Sequence, residues 1–159
     1  MAVSIHVEPA GEFERIHYAG PINEDAEVHL NRLIQTAGPK VILNFRGVQN
    51  VNSCGVRAWI NFLREFEKTR QVIFEECTPE IVAQINMIPN FKGKADVQSV
   101  YAAYGCDNCS HREWHLFEKG KNMPSGPSAD VPEITCPKCQ HTMEMEELEE
   151  EFFGWMDVA

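Results

Sequence analysis

Residues 41–63, V-I-L-N-F-R-G-V-Q-N-V-N-S-C-G-V-R-A-W-I-N-F-L, decide how the chain is built. Val41-Ile42-Leu43 is a short unbroken apolar run, which suits a central strand buried on both faces. Val56, Trp59, Ile60, Leu63 and Phe66 then recur at helical spacing, with Arg57, Arg64, Glu65 and Lys68 on the opposite face. Between the run and the stripe lies a polar loop that ends in Asn52-Ser53-Cys54-Gly55. In open α/β sheets, the carboxyl ends of such strands are where ligands and partners gather.

The alternation extends in both directions. Residues 3–8 alternate apolar and polar, Pro9-Ala10-Gly11 predicts a turn, and residues 12–19 predict the second strand of a hairpin. After the break at Gly20-Pro21, Ala26, Leu30, Leu33, Ile34 and Ala37 mark one face of a helix from Asn23 or Glu24, stopped by Gly38-Pro39. Downstream, Val72-Ile73-Phe74 predicts another buried strand. Thr78 as N-cap and Pro79 in the first turn then start a helix carrying Ile81, Val82, Ile85 and Ile88. Residues 97–104 predict a last strand. Strands alternating with helices imply an α/β fold, a mixed sheet with a parallel centre and helices packed on it.

At 159 residues and 43% apolar content the chain suits one domain, or one with a small appendage. No run reaches the ~18 apolar residues of a spanning helix, and Met1-Ala2-Val3-Ser4-Ile5-His6 lacks a basic-then-apolar leader. A cytoplasmic protein without membrane contact is expected. The net charge of -10 disfavours nucleic acid as a partner, because a phosphate-backbone binder needs a basic patch. Six Glu and one Asp fall in residues 144–159, so most of the acidity belongs to the C-terminus.

Cys106-Asp107-Asn108-Cys109 and Cys136-Pro137-Lys138-Cys139 are two C-x-x-C pairs separated by 26 residues. Four thiolates so placed suit tetrahedral Zn²⁺, at roughly 2.3 Å per sulfur. His111, His115 and His141 lie close by, but Cys106, Cys109, Cys136 and Cys139 already complete a site. Residues 119–132, half of them Gly, Pro or Ser, predict a flexible loop between the pairs. The module resembles a zinc ribbon, with strands expected over residues 112–117 and 142–146. So small a unit has little core of its own, and the metal supplies most of its folding energy. Leu148, Phe152, Trp155 and Met156 predict a short amphipathic helix, packed on the protein or serving as an acidic docking segment. The expected division is 1–103 for the α/β unit and 104–159 for the zinc ribbon with its acidic C-terminal helix.

Ser53 stands where a helix N-cap is needed. Gly47-Val48, Asn52-Ser53-Cys54-Gly55, Gly20-Pro21-Ile22-Asn23 and Thr78-Pro79-Glu80 follow one another in an order and spacing that resembles the STAS domain, the fold of anti-sigma factor antagonists. The resemblance covers about residues 1–103. Asn52 stands where that family carries an acid, and Cys54 where it carries a second serine. The resemblance implies a STAS-like fold and a non-enzymatic regulator that binds a protein partner, a kinase-like anti-sigma factor. It implies that phosphorylation of Ser53 switches that binding, with Asn52, Ser53, Cys54 and Gly55 forming the partner-binding loop. Cys54 is otherwise expected as a small buried residue in the serine slot, and Cys77 as buried and inert. Two other readings stay open: a zinc-ribbon adaptor binding nucleic acid or transcription machinery, and a small-ligand or redox sensor using residues 52–55. No motif makes a positive case for an enzyme, and the sequence leaves the oligomeric state open.

Overall fold

The computed structural model describes residues 2–127 and 131–157. β1 (Ser4–Ala10) and β2 (Phe13–Ala19) form the antiparallel hairpin. Its turn sits at Gly11-Glu12, one step later than the sequence predicts, because Gly11 supplies the positive φ of 66°. Then follow α1 (Ala26–Thr36), β3 (Lys40–Gly47), α2 (Ser53–Phe66), β4 (Gln71–Glu75), α3 (Pro79–Met87) and β5 (Asp96–Val97). The five strands lie in chain order, with β2, β3, β4 and β5 parallel.

That order determines which face is buried. Parallel crossovers share one hand, so a sheet built in chain order receives its helices on one face. The cross-strand row Ile16, Leu43, Phe74 and Val97 is at most 3% exposed. The alternate row on the other face, Arg15, Ile42 and Ile73, is only half-buried. The expectation that residues 41–43 are buried on both faces is therefore corrected: an unbroken apolar run here serves a sheet covered on one side. Beneath the helices, Trp59 packs edge-on to Phe45 and against Phe91, whose carbonyl accepts its indole N–H at 2.8 Å.

The open face carries polar groups instead. Glu8 pairs with His17 at 3.1 Å and with Arg15 at 3.5 Å, and Arg15 pairs with Glu75 at 2.7 Å. The buried Asn44 amide donates to both Glu75 and Glu76.

Residues 97–104 divide between two sheets. Only Asp96–Val97 pairs with β4, whereas β6 (Ser99–Gly105) belongs to a second sheet with β7 (Arg112–Glu118), β8 (Ile134–Thr135) and β9 (Thr142–Met145), in the order β7-β6-β9-β8. A bridge between Cys77 and Val100 ties β6 to the end of β4. The buried side chains of the two sheets form one continuous cluster, which includes Phe74, Val100, Phe117, Cys136 and Phe153.

The predicted C-terminal helix shortens to α4 (Glu149–Phe152), followed by a 3₁₀ turn over Gly154–Asp157. Phe152 and Phe153 are buried, Phe153 edge-on to Phe117 with centroids 5.5 Å apart. Asn86 of α3 donates to the Phe152 carbonyl at 3.0 Å. Of the loop predicted over 119–132, residues 128–130 lie outside the described residues. Lys121, Asn122 and Met123 turn back on the Glu118 carbonyl through their N–H groups.

Candidate functional site

The loop between β3 and α2 is held from below. Ile22 and Val51 form a parallel bridge, the Ile22 N–H donates to the Asn50 carbonyl, and the Asn52 N–H donates to the Ile22 carbonyl. Gly55 permits this approach: a Cβ there would collide with the Ile22 carbonyl and the Asn23 nitrogen. The first turn of α2 is thus pressed against the chain that follows β2.

Asn52, and not Ser53, is the N-cap. Its backbone is extended, with φ −112° and ψ 174°, and its side-chain oxygen accepts from the Gly55 N–H at 2.8 Å. Its amide donates to Glu24 at 2.9 Å, which holds the Glu24 carboxyl below the usual range. Ser53 becomes the first helical residue, freed from capping and exposed to solvent. Cys54 is exposed as well, against the expectation of a small buried residue. It lines a groove of about 340 Å³ between α1 and α2 with Glu24, Glu27, Arg57 and Phe62. Cys77 is fully buried, and burial pushes its thiol far up. Glu24 and Arg57 complete the surroundings of residues 52–55 without a sequence signal for that role: Glu24 lies 28 residues from Asn52, and Arg57 reads only as part of the polar face of the helix.

The second constellation is the thiol cluster. Cys106, Cys109, Cys136 and Cys139 bring their Sγ atoms within 4.8 Å of one another, an arrangement that could hold a metal ion. The two half-sites have the same backbone. Cys106 N–H donates to the His111 carbonyl and Ser110 N–H to the Cys106 carbonyl. Cys136 N–H donates to the His141 carbonyl and Gln140 N–H to the Cys136 carbonyl, all at 2.7–2.9 Å. Ser110 and Gln140, the residues after the second cysteine of each pair, both adopt positive φ, 64° and 69°. Each knuckle is therefore the turn of a hairpin, β6 to β7 or β8 to β9, and pairing between β6 and β9 brings the turns together.

The electrostatics within the cluster differ by position. The His141 backbone N–H, helped by Asn108, brings the Cys139 thiol down to about 5. The His111 N–H acts likewise on Cys109, but desolvation and the neighbouring thiols outweigh it and push Cys109 up to about 12. Four thiols this close share protons unless a cation allows all of them to ionise. Cys106 and Cys136 are buried in the common core, whereas Cys109 is exposed.

Fold and sites together describe a mixed α/β sheet with helices on one face, joined to a small module built on two cysteine knuckles. No family model and no curated protein matches the chain. Among solved structures it is similar to that of the anti-sigma factor antagonist SpoIIAA in its unphosphorylated form. Identity is 19%, covering 59% of this chain and 87% of that one, with a TM-score of 0.42. Among the described residues, no helix is long and apolar enough to cross a membrane.

Proposed function

We propose that the protein is a regulator that acts by binding protein partners, with residues 52–55 at the docking surface and Ser53 as a phosphorylation switch. The observation that carries this reading is the exposed Ser53 hydroxyl on the first residue of α2, with capping left to Asn52 and the loop fixed by Gly55 on Ile22. A phosphate on Ser53 adds about 1.5–2 negative charges beside unpaired N–H groups of the first helical turn. Arg57, one turn further along α2, is placed to pair with it. The phosphate is then tolerated within the protein, while a partner docked against the loop would have to desolvate it. The partner class, a kinase-like anti-sigma factor, rests on the STAS resemblance of residues 1–103.

In the same reading, residues 104–159 form a zinc ribbon with Zn²⁺ held by Cys106, Cys109, Cys136 and Cys139. Zinc–sulfur bonds of ~2.3 Å in a tetrahedron separate sulfurs by about 3.8 Å. The Sγ atoms of Cys106 and Cys139 are 3.4 Å apart and those of Cys109 and Cys136 are 3.6 Å apart, a near match and far too long for disulfides. The zinc is structural: four protein ligands leave no open position for a substrate or a water.

Tagged Ser53→Ala and Ser53→Asp proteins expressed in the native host, with bound proteins identified by mass spectrometry, test the switch. Ser53→Ala retains an anti-sigma-type kinase and Ser53→Asp releases it, with equal unfolding midpoints. Equal retention by both, together with an intact mass that never includes a phosphate, overturns the switch. Elemental analysis is expected to find about one zinc per chain, and reduced protein purified without zinc overturns the metal assignment.

A further inference from the structure

The acidity of the C-terminus has a place in the structure that the partner loop does not use. A groove of about 720 Å³ opens between β9, the segment leading into α4 and residues 131–133. Its apolar lining includes Tyr104, Met143 and the half-buried Val131, and Leu148 stands beside it 68% exposed. Glu133, Glu144, Glu147, Glu149 and Glu150 also line it, all solvent-exposed, and no Lys, Arg or His does so among the described residues. Among the described residues, none of the five glutamates has a cationic partner; the ion pair of this region, with Arg112, is made by Glu146 outside the groove.

A second, independent feature lies at the base. Tyr104 is 1% exposed, and its hydroxyl has no hydrogen-bond partner among the described residues. A buried hydroxyl left unpaired is costly, roughly 1–3 kcal/mol, and such groups are uncommon in native structures. The phenol O–H is a donor in need of an acceptor.

We propose that this groove is a docking site for a basic segment of a partner protein, a short peptide that sets Lys or Arg side chains against the glutamates, an aliphatic side chain on Leu148 and Val131, and a backbone carbonyl on the Tyr104 hydroxyl. Charge complementarity selects the occupant: a second copy of this acidic chain would be repelled, and a nucleic acid more so. A free divalent ion would satisfy the carboxylates and leave the apolar lining and the tyrosine without a role. The site lies in the cysteine module and its proposal is independent of the Ser53 loop, so either can fail alone.

The test uses the zinc-loaded full chain and a fluorescein-labelled twelve-residue peptide of alternating Lys and Leu, with spermine as a competing cation. Zinc content and urea midpoint are checked for each variant. Anisotropy in 20 mM salt is expected to report micromolar binding. The surface variant Glu147→Gln/Glu149→Gln/Glu150→Gln should weaken it by about tenfold. Tyr104→Phe should weaken it by about threefold, from the lost hydroxyl. Glu12→Gln/Glu80→Gln/Glu118→Gln, the same charge change away from the groove, should leave it within about twofold. Equal losses in the two triple variants, spermine binding as tightly as the peptide, or no binding at low salt overturns the proposal.

Discussion

At the entrance to α2, three neighbouring side chains have three different tasks. Asn52 closes the helix through its bond to the Gly55 N–H, Ser53 presents a hydroxyl, and Gly55 makes room for the Ile22 carbonyl. Removing the cap in Asn52→Ala is expected to cost about 1 kcal/mol, and up to about 2, in urea unfolding. Ser53→Ala is expected to cost almost nothing, and the reverse ranking would return the cap to Ser53. The helix start was legible in the sequence to within one residue. Asn and Ser cap equally well, and only the extended backbone at Asn52 decides between them. Burial of Cys54 was not legible, because its fate depends on how far α1 leans over α2.

Among the elements, the knuckles were the most legible, because a C-x-x-C pair is itself the local geometry and needs no distant partner. The C-terminal segment was less so. Helical spacing found Phe152 but passed over Phe153, which is fully buried because the chain leaves the α-helix there and the 3.6-residue rule stops applying. The strand predicted over residues 97–104 forms as β6 over Ser99–Gly105, but the sheet it joins was not legible: its partners β7 and β9 follow the first and the second knuckle, out of reach of any local pattern. The acid-rich approach to α4 also has a measurable consequence. Desolvation by the surrounding chain, with Glu151 and Glu146 nearby, holds the carboxyl of the surface residue Glu147 above its usual range. A raised carboxyl binds its proton more tightly in the folded state, so stability is lost as pH rises through the folded value. Glu147→Gln is therefore expected to raise the melting temperature at pH 8 by about 1 °C, with the gain shrinking towards pH 5. A gain that grows on acidification would contradict this sign.

For the whole molecule, the two sheets share one core, and the strand that joins them belongs to the second. Hydrogen exchange after metal removal by a chelator is expected to lose protection first over residues 104–157. The loss should then spread into Ser99–Gly105 and to the end of α3, where Asn86 holds the Phe152 carbonyl. The amides of β2, β3 and β4 should keep their protection, since their ladder and the Trp59 cluster contain nothing from the cysteine module. Simultaneous loss throughout would show that the chain unfolds as a single unit and would end the division at residues 103 and 104. The alternation of strands and helices in the first hundred residues was readable because each element carries its own period. The open face of the sheet was not, because Arg15, Asn44 and Glu75 meet only once three strands are in register.

The matching backbones of the two knuckles make the cluster a pair of two-toothed claws, held side by side by the pairing of β6 with β9. The 26 residues between them include β7 and β8, so an ion held by one pair would find the other already in place. A metal ion held there as proposed would be released one half-site at a time, and a competing thiol chelator would engage it from the side of the vacated pair, so the exchange rate is expected to rise with the competitor's concentration.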